Sequence, residues 1–124
     1  MTVLPFLAVC LAGGLGAALR FVVDAVIRNR TSGSYPLATM IMNVSGSLVL
    51  GLLIGLVLGG VLSPGWQLII GTGMMGGYTT FSTASYETLR LLEERRWWAA
   101  AISGIGMLVL CTAAAAGGYA LGRW

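Results

Sequence analysis

The chain has 124 residues, of which 57% are hydrophobic and 9% charged, and its mean hydropathy is +0.90. A soluble domain carries about 25% charged residues, so a soluble globular domain is excluded and an integral membrane protein is indicated. Seven arginines oppose four acids for a net charge of +3, and histidine is absent, which rules out a histidine-based metal site or general base.

At roughly 20 residues per span, one domain over residues 1–124 has room for about four membrane helices. Four short helices enclose little interior, so a site between them would need a second copy or a partner. The arginines sit in loops and at helix ends, which reads as membrane topology rather than nucleic-acid binding. Cys10 and Cys111 are expected as small buried hydrophobes. The start of the chain lacks a basic n-region, so no cleaved signal peptide is expected.

Span one is predicted over residues 3–27. Ala12, Gly16, Arg20 and Asp24 recur every fourth residue and share a face. Arg20 and Asp24 are placed to pair. Arg20 either snorkels to the headgroups or stands at the mouth of an anion route, since a charge inside a span is costly. Asn29, Ser32 and Gly33 fit a polar turn, and Pro36 suits a first helical position.

Span two is predicted over residues 37–62. Asn43, Ser47, Gly51, Gly55 and Gly59 form one stripe. Its glycine part is a close-packing face. Asn43 must find a partner, because an unpaired amide in lipid costs several kcal/mol. Either an interhelical hydrogen bond or a place in a pore would serve. Ser63-Pro64-Gly65 ends the span.

Span three is predicted over residues 66–92 and span four over 97–121. Residues 71–88 hold four glycines and seven Ser or Thr hydroxyls inside a hydrophobic sequence. Gly76-Gly77 weakens the helix there by roughly 1 kcal/mol per glycine, and hydroxyls can satisfy freed backbone groups. The third span is therefore read as broken near its middle, with a second half starting near Thr79–Ser82 on hydroxyl caps. Non-helical backbone at membrane depth must be buried in protein or line a wet cavity, and such breaks mark ion or substrate sites. In span four, Trp97 and Trp98 at one end and Tyr119 and Trp124 at the other suit interfacial belts. Arg28, Arg30, Arg90, Arg95 and Arg96 fall on one side against Arg123 on the other, which places both termini outside.

A break presents carbonyls with partial negative charge at one end and N–H groups with partial positive charge at the other. Carbonyls suit a hard monovalent cation such as sodium. The N–H end, with the hydroxyls of Thr79, Thr80, Ser82 and Thr83, suits a small anion. The edge of the Phe81 ring is electropositive and could touch an anion without adding a full charge. These features indicate a small-ion pathway and do not name the ion.

Four motifs in order carry a resemblance to the Fluc (CrcB) family of fluoride channels. They are Gly13-Gly14-Leu15-Gly16-Ala17-Ala18-Leu19-Arg20; Tyr35-Pro36-Leu37-Ala38-Thr39 leading into Asn43-Val44-Ser45-Gly46-Ser47; Gly51; and Gly73-Met74-Met75-Gly76-Gly77-Tyr78-Thr79-Thr80-Phe81-Ser82-Thr83. They cover the first three spans. Span four is similar only in length and character.

The resemblance implies a passive, multi-pass fluoride channel of the plasma or inner membrane that lowers cytoplasmic fluoride. It implies an antiparallel dimer with two pores at the subunit interface. It also implies a structural, non-transported sodium ion on the carbonyls of Gly76 and Thr79. Asn43 matches the pore-lining asparagine, Phe81 the first pore phenylalanine and Arg20 the vestibule arginine. Glu87 falls at the acidic position after the motif. One departure is Ala84, where the family often has a second phenylalanine. In span four only Ser103 and Thr112 offer hydroxyls before Tyr119. A dimer of opposed copies needs weak topological bias, so the arginine bias admits a heterodimer with an oppositely biased paralogue beside the homodimer. In that case the chain could be non-conducting by itself.

Two other classes compete. A four-helix, proton-coupled multidrug transporter needs an embedded carboxylate in span one, and Asp24 lies near that helix's end. A purely structural subunit would explain the glycine faces but not the hydroxyl cluster. No nucleophile with a base and no phosphate loop supports an enzyme.

Overall fold

The computed structural model describes residues 2–31 and 36–124. Ser32, Gly33 and Tyr35, named above for the turn and the second motif, lie outside the described residues. All regular structure among the described residues is helical.

Helix α1 is Val3–Arg30. Pro5 lies in its first turn, where the missing N–H has no helical partner to lose. The helix runs one turn past its predicted end, because the Arg28 guanidinium bonds Asp24 and the Thr31 hydroxyl donates to the Ile27 carbonyl at 2.8 Å. Helix α2 is Leu37–Leu58. It stops four residues early at Gly59-Gly60. Gly60 has φ 76°, Val61 N–H bonds Leu56 O at 2.9 Å, and Gly60 N–H bonds Val57 O at 3.0 Å. That is the paired closure in which a left-handed glycine satisfies the last carbonyls.

Helix α3 covers residues 64–78. It starts with an α-turn at Pro64–Trp66, continues as π-helix over Gln67–Met75, and closes with an α-turn at Gly76–Tyr78. Thr79 is extended, at φ −81° and ψ 162°, and breaks the ladder. Helix α4 follows at Ser82–Glu93. Helix α5 runs Trp97–Arg123 with a π segment at Ile102–Gly106. Between α4 and α5, Arg95 is left-handed at φ 57°. Its N–H bonds Leu92 O, and Arg96 N–H bonds Leu91 O.

Three helices, α1, α2 and α5, are long and apolar enough to cross a membrane. The 15 residues of α3 reach only about 22 Å at a helical rise of 1.5 Å per residue, short of the roughly 30 Å hydrocarbon core. Helix α4 has 12 residues and is shorter still.

Two glycine seams hold the bundle. In α2 against α5, a Cβ on Gly51 would overlap the Ala115 carbonyl, and one on Gly118 would overlap that of Leu48. In α1 against α3, a Cβ on Gly16 would overlap the Met74 carbonyl, and one on Gly77 that of Gly13. Such seams let backbones approach where lipid supplies no hydrophobic drive between helices. Ala38, Met42, Met75 and Tyr78 form the core between them. Leu4, Phe6, Leu11, Leu15 and Phe21 stay exposed on α1, as do Leu108 and Val109 on α5.

Two expectations are corrected. Cys10 is exposed and Cys111 half-buried, because α1 buries only the small side of its surface, Ala12 and Gly16. Gly76-Gly77 remains helical, and the break falls at Thr79–Phe81. Of the two, Gly77 serves contact, meeting the Gly13 carbonyl of α1.

Candidate functional site

The break is held from two sides. On one, the Asn43 side chain pairs with the Thr80 peptide unit. Thr80 N–H donates to Asn43 Oδ1 at 2.8 Å, and Asn43 Nδ2 donates to Thr80 O at 2.8 Å. The Nδ2 group also reaches Met107 Sδ at 3.2 Å. Asn43 is only 8% exposed, and all its polar atoms are partnered. This reciprocal pair replaces the helical bond that Thr80 N–H would make to the Gly76 carbonyl. On the other side, Arg20 Nη1 donates to Thr79 O at 3.2 Å, placing positive charge at the carbonyl end of α3.

The start of α4 is capped by Thr80, whose Oγ1 accepts Thr83 N–H at 3.2 Å. This is a side-chain cap of the kind the hydroxyl run suggested. The capping oxygen acts as acceptor, and its only other contact is a long 3.5 Å approach to the Ser82 hydroxyl, in which either oxygen can donate. Other hydroxyls are committed. Thr79 donates to Met75 O, Ser85 to Phe81 O, Ser47 to Asn43 O and Thr88 to Ala84 O. Ser103 then donates to Thr88 Oγ1 at 3.1 Å.

These groups line an open groove of about 830 Å³ between α2, α3, α4 and α5. Its polar lining is Asn43, Ser47, Thr72, Thr79, Thr80, Ser85, Thr88 and Ser103, with Phe81 and Ala84 alongside. No charged side chain lines it. Phe81 is 87% exposed at the rim. Both π segments border it. Gly71, Thr72 and Met75 come from one, and Ser103 and Gly104 from the other. A π-turn shifts side-chain register and is enriched at functional sites.

Of the residues singled out in the sequence, Asn43, Gly76, Thr79, Thr80 and Phe81 come together on the groove. Ser82 and Thr83 are exposed on α4 away from its lining. Arg20 meets the break from α1. Glu87 is buried behind the groove, where Thr39 Oγ1 donates to its Oε1 at 2.5 Å. Ser103 lines the groove and is 1% exposed, while Thr112 is exposed and bonds its own Leu108 carbonyl.

The expected Arg20–Asp24 pair is absent. Asp24 instead takes Arg28 Nε at 2.9 Å on both carboxylate oxygens, and Arg28 Nη2 lies 3.8 Å from Glu87 Oε1. Thr39 and Arg28 are thus functional candidates that the sequence reading missed. Thr39 stands one turn before Asn43 on the same stripe, so extending the stripe backward would have found it. Arg28 has no comparable signal, since an arginine at a helix end reads as topology.

Gly76 offers a backbone carbonyl, and Thr79 a backbone carbonyl beside a hydroxyl that donates to Met75 O. Among the described residues no group of His, Cys, Asp and Glu is placed to hold a metal ion, and the oxygens near the break are neutral carbonyls and hydroxyls. The Gly76 carbonyl has lost Thr80 N–H to Asn43, and a Cβ at Gly76 would meet nothing within 4 Å. A hard monovalent cation fits that donor type.

The profile of the family described as CrcB-like protein, Camphor Resistance (CrcB), matches residues 7–119. The chain is 54% identical over 122 residues to fluoride-specific ion channel FluC 1 of Leifsonia xyli subsp. xyli, covering 98% of this chain and 89% of that protein. It is 46% identical over 114 residues to fluoride-specific ion channel FluC 2 of Mycolicibacterium paratuberculosis, covering 92% and 90%. With fluoride-specific ion channel FluC 3 of Bifidobacterium longum it shares 38% over 119 residues, covering 96% and 98%.

Proposed function

The chain belongs to the CrcB family of multi-pass membrane proteins, and on that footing we propose that it is a fluoride-selective passive channel that lets fluoride leave the cytoplasm. The relatives are named as fluoride-specific ion channels, which is transport and not catalysis. The observation that carries the reading is the groove, hydroxyl-lined, aromatic-rimmed and free of charged side chains. A small, strongly hydrated anion needs a series of donors to replace its water. It also needs weak, multiple sites in order to leave again. Neutral hydroxyls meet both demands.

The groove is open along its side, with Phe81 and Gly76 exposed. A second copy in the opposite orientation would wall it and turn it into a pore. Helices α3 and α4 together would then make the fourth crossing. An antiparallel homodimer is the simpler assembly. The arginine bias favours a second arrangement, a heterodimer with an oppositely biased paralogue.

A structural sodium ion would be held by the carbonyls of Gly76 and Thr79, joined by the same pair from the second subunit. Bound there, it would supply fixed positive charge between the half-helices. The Thr79 carbonyl already accepts from Arg20 through one lone pair and keeps the other.

Fluoride efflux from liposomes containing this chain alone, read with a fluoride electrode and a chloride control, tests the proposal. Rapid efflux of fluoride but not chloride supports a channel for which one gene product suffices. Silence from well-folded protein points to the heterodimer, and efflux on co-reconstitution with a paralogue would support it. Silence in both settings overturns the channel.

A further inference from the structure

An anion route beside a buried carboxylate poses an electrostatic problem, and the structure places a counter-charge there. Glu87 is 8% exposed on α4. Its neighbours Ala84 and Thr88 line the groove. Thr39, which donates to Glu87, lies one helical turn from Asn43 on α2, so the carboxylate is anchored one turn along that helix from the residue that clamps the break. A negative charge there, in surroundings less polar than water, opposes an approaching anion.

Arg28 faces it from α1. Its Nε is committed to Asp24, and its Nη2 is turned to Glu87 Oε1 at 3.8 Å. Arg20, Asp24 and Arg28 follow one another at one-turn intervals on the same face of α1. Together with Glu87 they form an alternating set of two positive and two negative charges. Removing Arg28 leaves that set with one uncompensated negative charge.

We propose that Arg28 is a positioning residue that sustains conduction in the anion pathway, acting as the counter-charge that keeps the field of Glu87 from repelling the permeating ion. This rests on the fluoride-channel reading above. Arg28 is not a ligand of the ion here; it acts through Glu87.

The test is fluoride efflux from liposomes for wild type, Arg28→Gln, Arg28→Lys, Glu87→Gln and the double variant Arg28→Gln/Glu87→Gln. Each protein is first checked for a monodisperse profile in detergent. The expected result is a flux loss of about tenfold for Arg28→Gln. Arg28→Lys should retain most of the flux, and the double variant should recover most of the loss in Arg28→Gln. The recovery separates an electrostatic role from folding or topology, because the double variant also lacks the arginine. Unchanged flux in Arg28→Gln overturns the proposal. So does a double variant no faster than Arg28→Gln. Absence of fluoride flux in wild type would instead sink the channel reading itself, and this inference with it.

Discussion

Asn43 binds both the donor and the acceptor of one peptide unit, and that geometry makes it sensitive to single-atom changes. Asn43→Asp keeps an oxygen for Thr80 N–H but sets a second oxygen against the Thr80 carbonyl. Leaving such a buried group unsatisfied costs about 1–3 kcal/mol. The new charge would also repel an anion in the groove. We expect Asn43→Asp to abolish fluoride flux and to lower the thermal midpoint; wild-type flux would remove Asn43 from the pathway. The hydroxyls can be ranked in the same way. The Thr80 proton has at most a long 3.5 Å contact with Ser82 Oγ, whereas Ser85 already donates to Phe81 O at 2.9 Å. Thr80→Val should therefore lower efflux more than Ser85→Ala, and the reverse order would refute the ranking. Phe81→Ile keeps apolar bulk but removes the positive ring edge. Its efflux should fall while the thermal midpoint holds, and wild-type flux from stable protein would count against the aromatic edge. Asn43, Thr80 and Phe81 were legible in the sequence, because polar or aromatic residues amid glycines in a membrane span need a reason. The Arg28–Glu87 approach was not, since it joins residues 59 positions apart through side chains that only the folded chain brings together.

At the scale of elements, the glycines separate into those that meet backbone and those that meet nothing. A Cβ at Gly118 would overlap the Leu48 carbonyl, while one at Gly117 has open space. Gly118→Ala should destabilise the protein by about 1–3 kcal/mol through overpacking. Gly117→Ala should be neutral or stabilising, by up to about 1 kcal/mol, because alanine is the better helix former. Thermal unfolding in detergent checks the contrast, and equal midpoints would refute the seam. The stripe on α2 could be read from its four-residue spacing, and so could the existence of a break in span three. The exact site of the break could not. Glycine pairs lower helix propensity, but they also allow close packing, and here Gly77 packs against α1 while the helix runs on through it. The side chain of Asn43, from another helix, decides where the ladder opens. The π segments also left no mark in the sequence, because their extra residue per turn follows from fitting α3 and α5 to their neighbours.

For the molecule as a whole, the small enclosed volume is the governing fact. The chain buries a core of few side chains and leaves a groove carrying a strip of hydroxyls open on its flank beside long apolar faces. Composition already indicated this, since about four helices of mostly small residues cannot surround a site. The number and orientation of copies are set by surfaces and charge bias that a single chain does not resolve. Chemical crosslinking in native membranes at a cysteine placed near Phe81 should capture a second chain across the groove. Capture of this chain by itself would favour the homodimer, and capture only in the presence of a paralogue would favour the heterodimer.

The shortness of α3 and α4 also bears on how the protein enters the bilayer as it is made. Neither α3 nor α4 has an apolar run long enough to partition into lipid unaided. Yet the groups that grip the break, Gly13 and Arg20 on α1 and Asn43 on α2, all precede it in the chain. The receiving surface therefore exists before the segment that needs it emerges. Helices α3 and α4 can be drawn in by two helices already seated in the membrane, and α5 closes the groove only afterward.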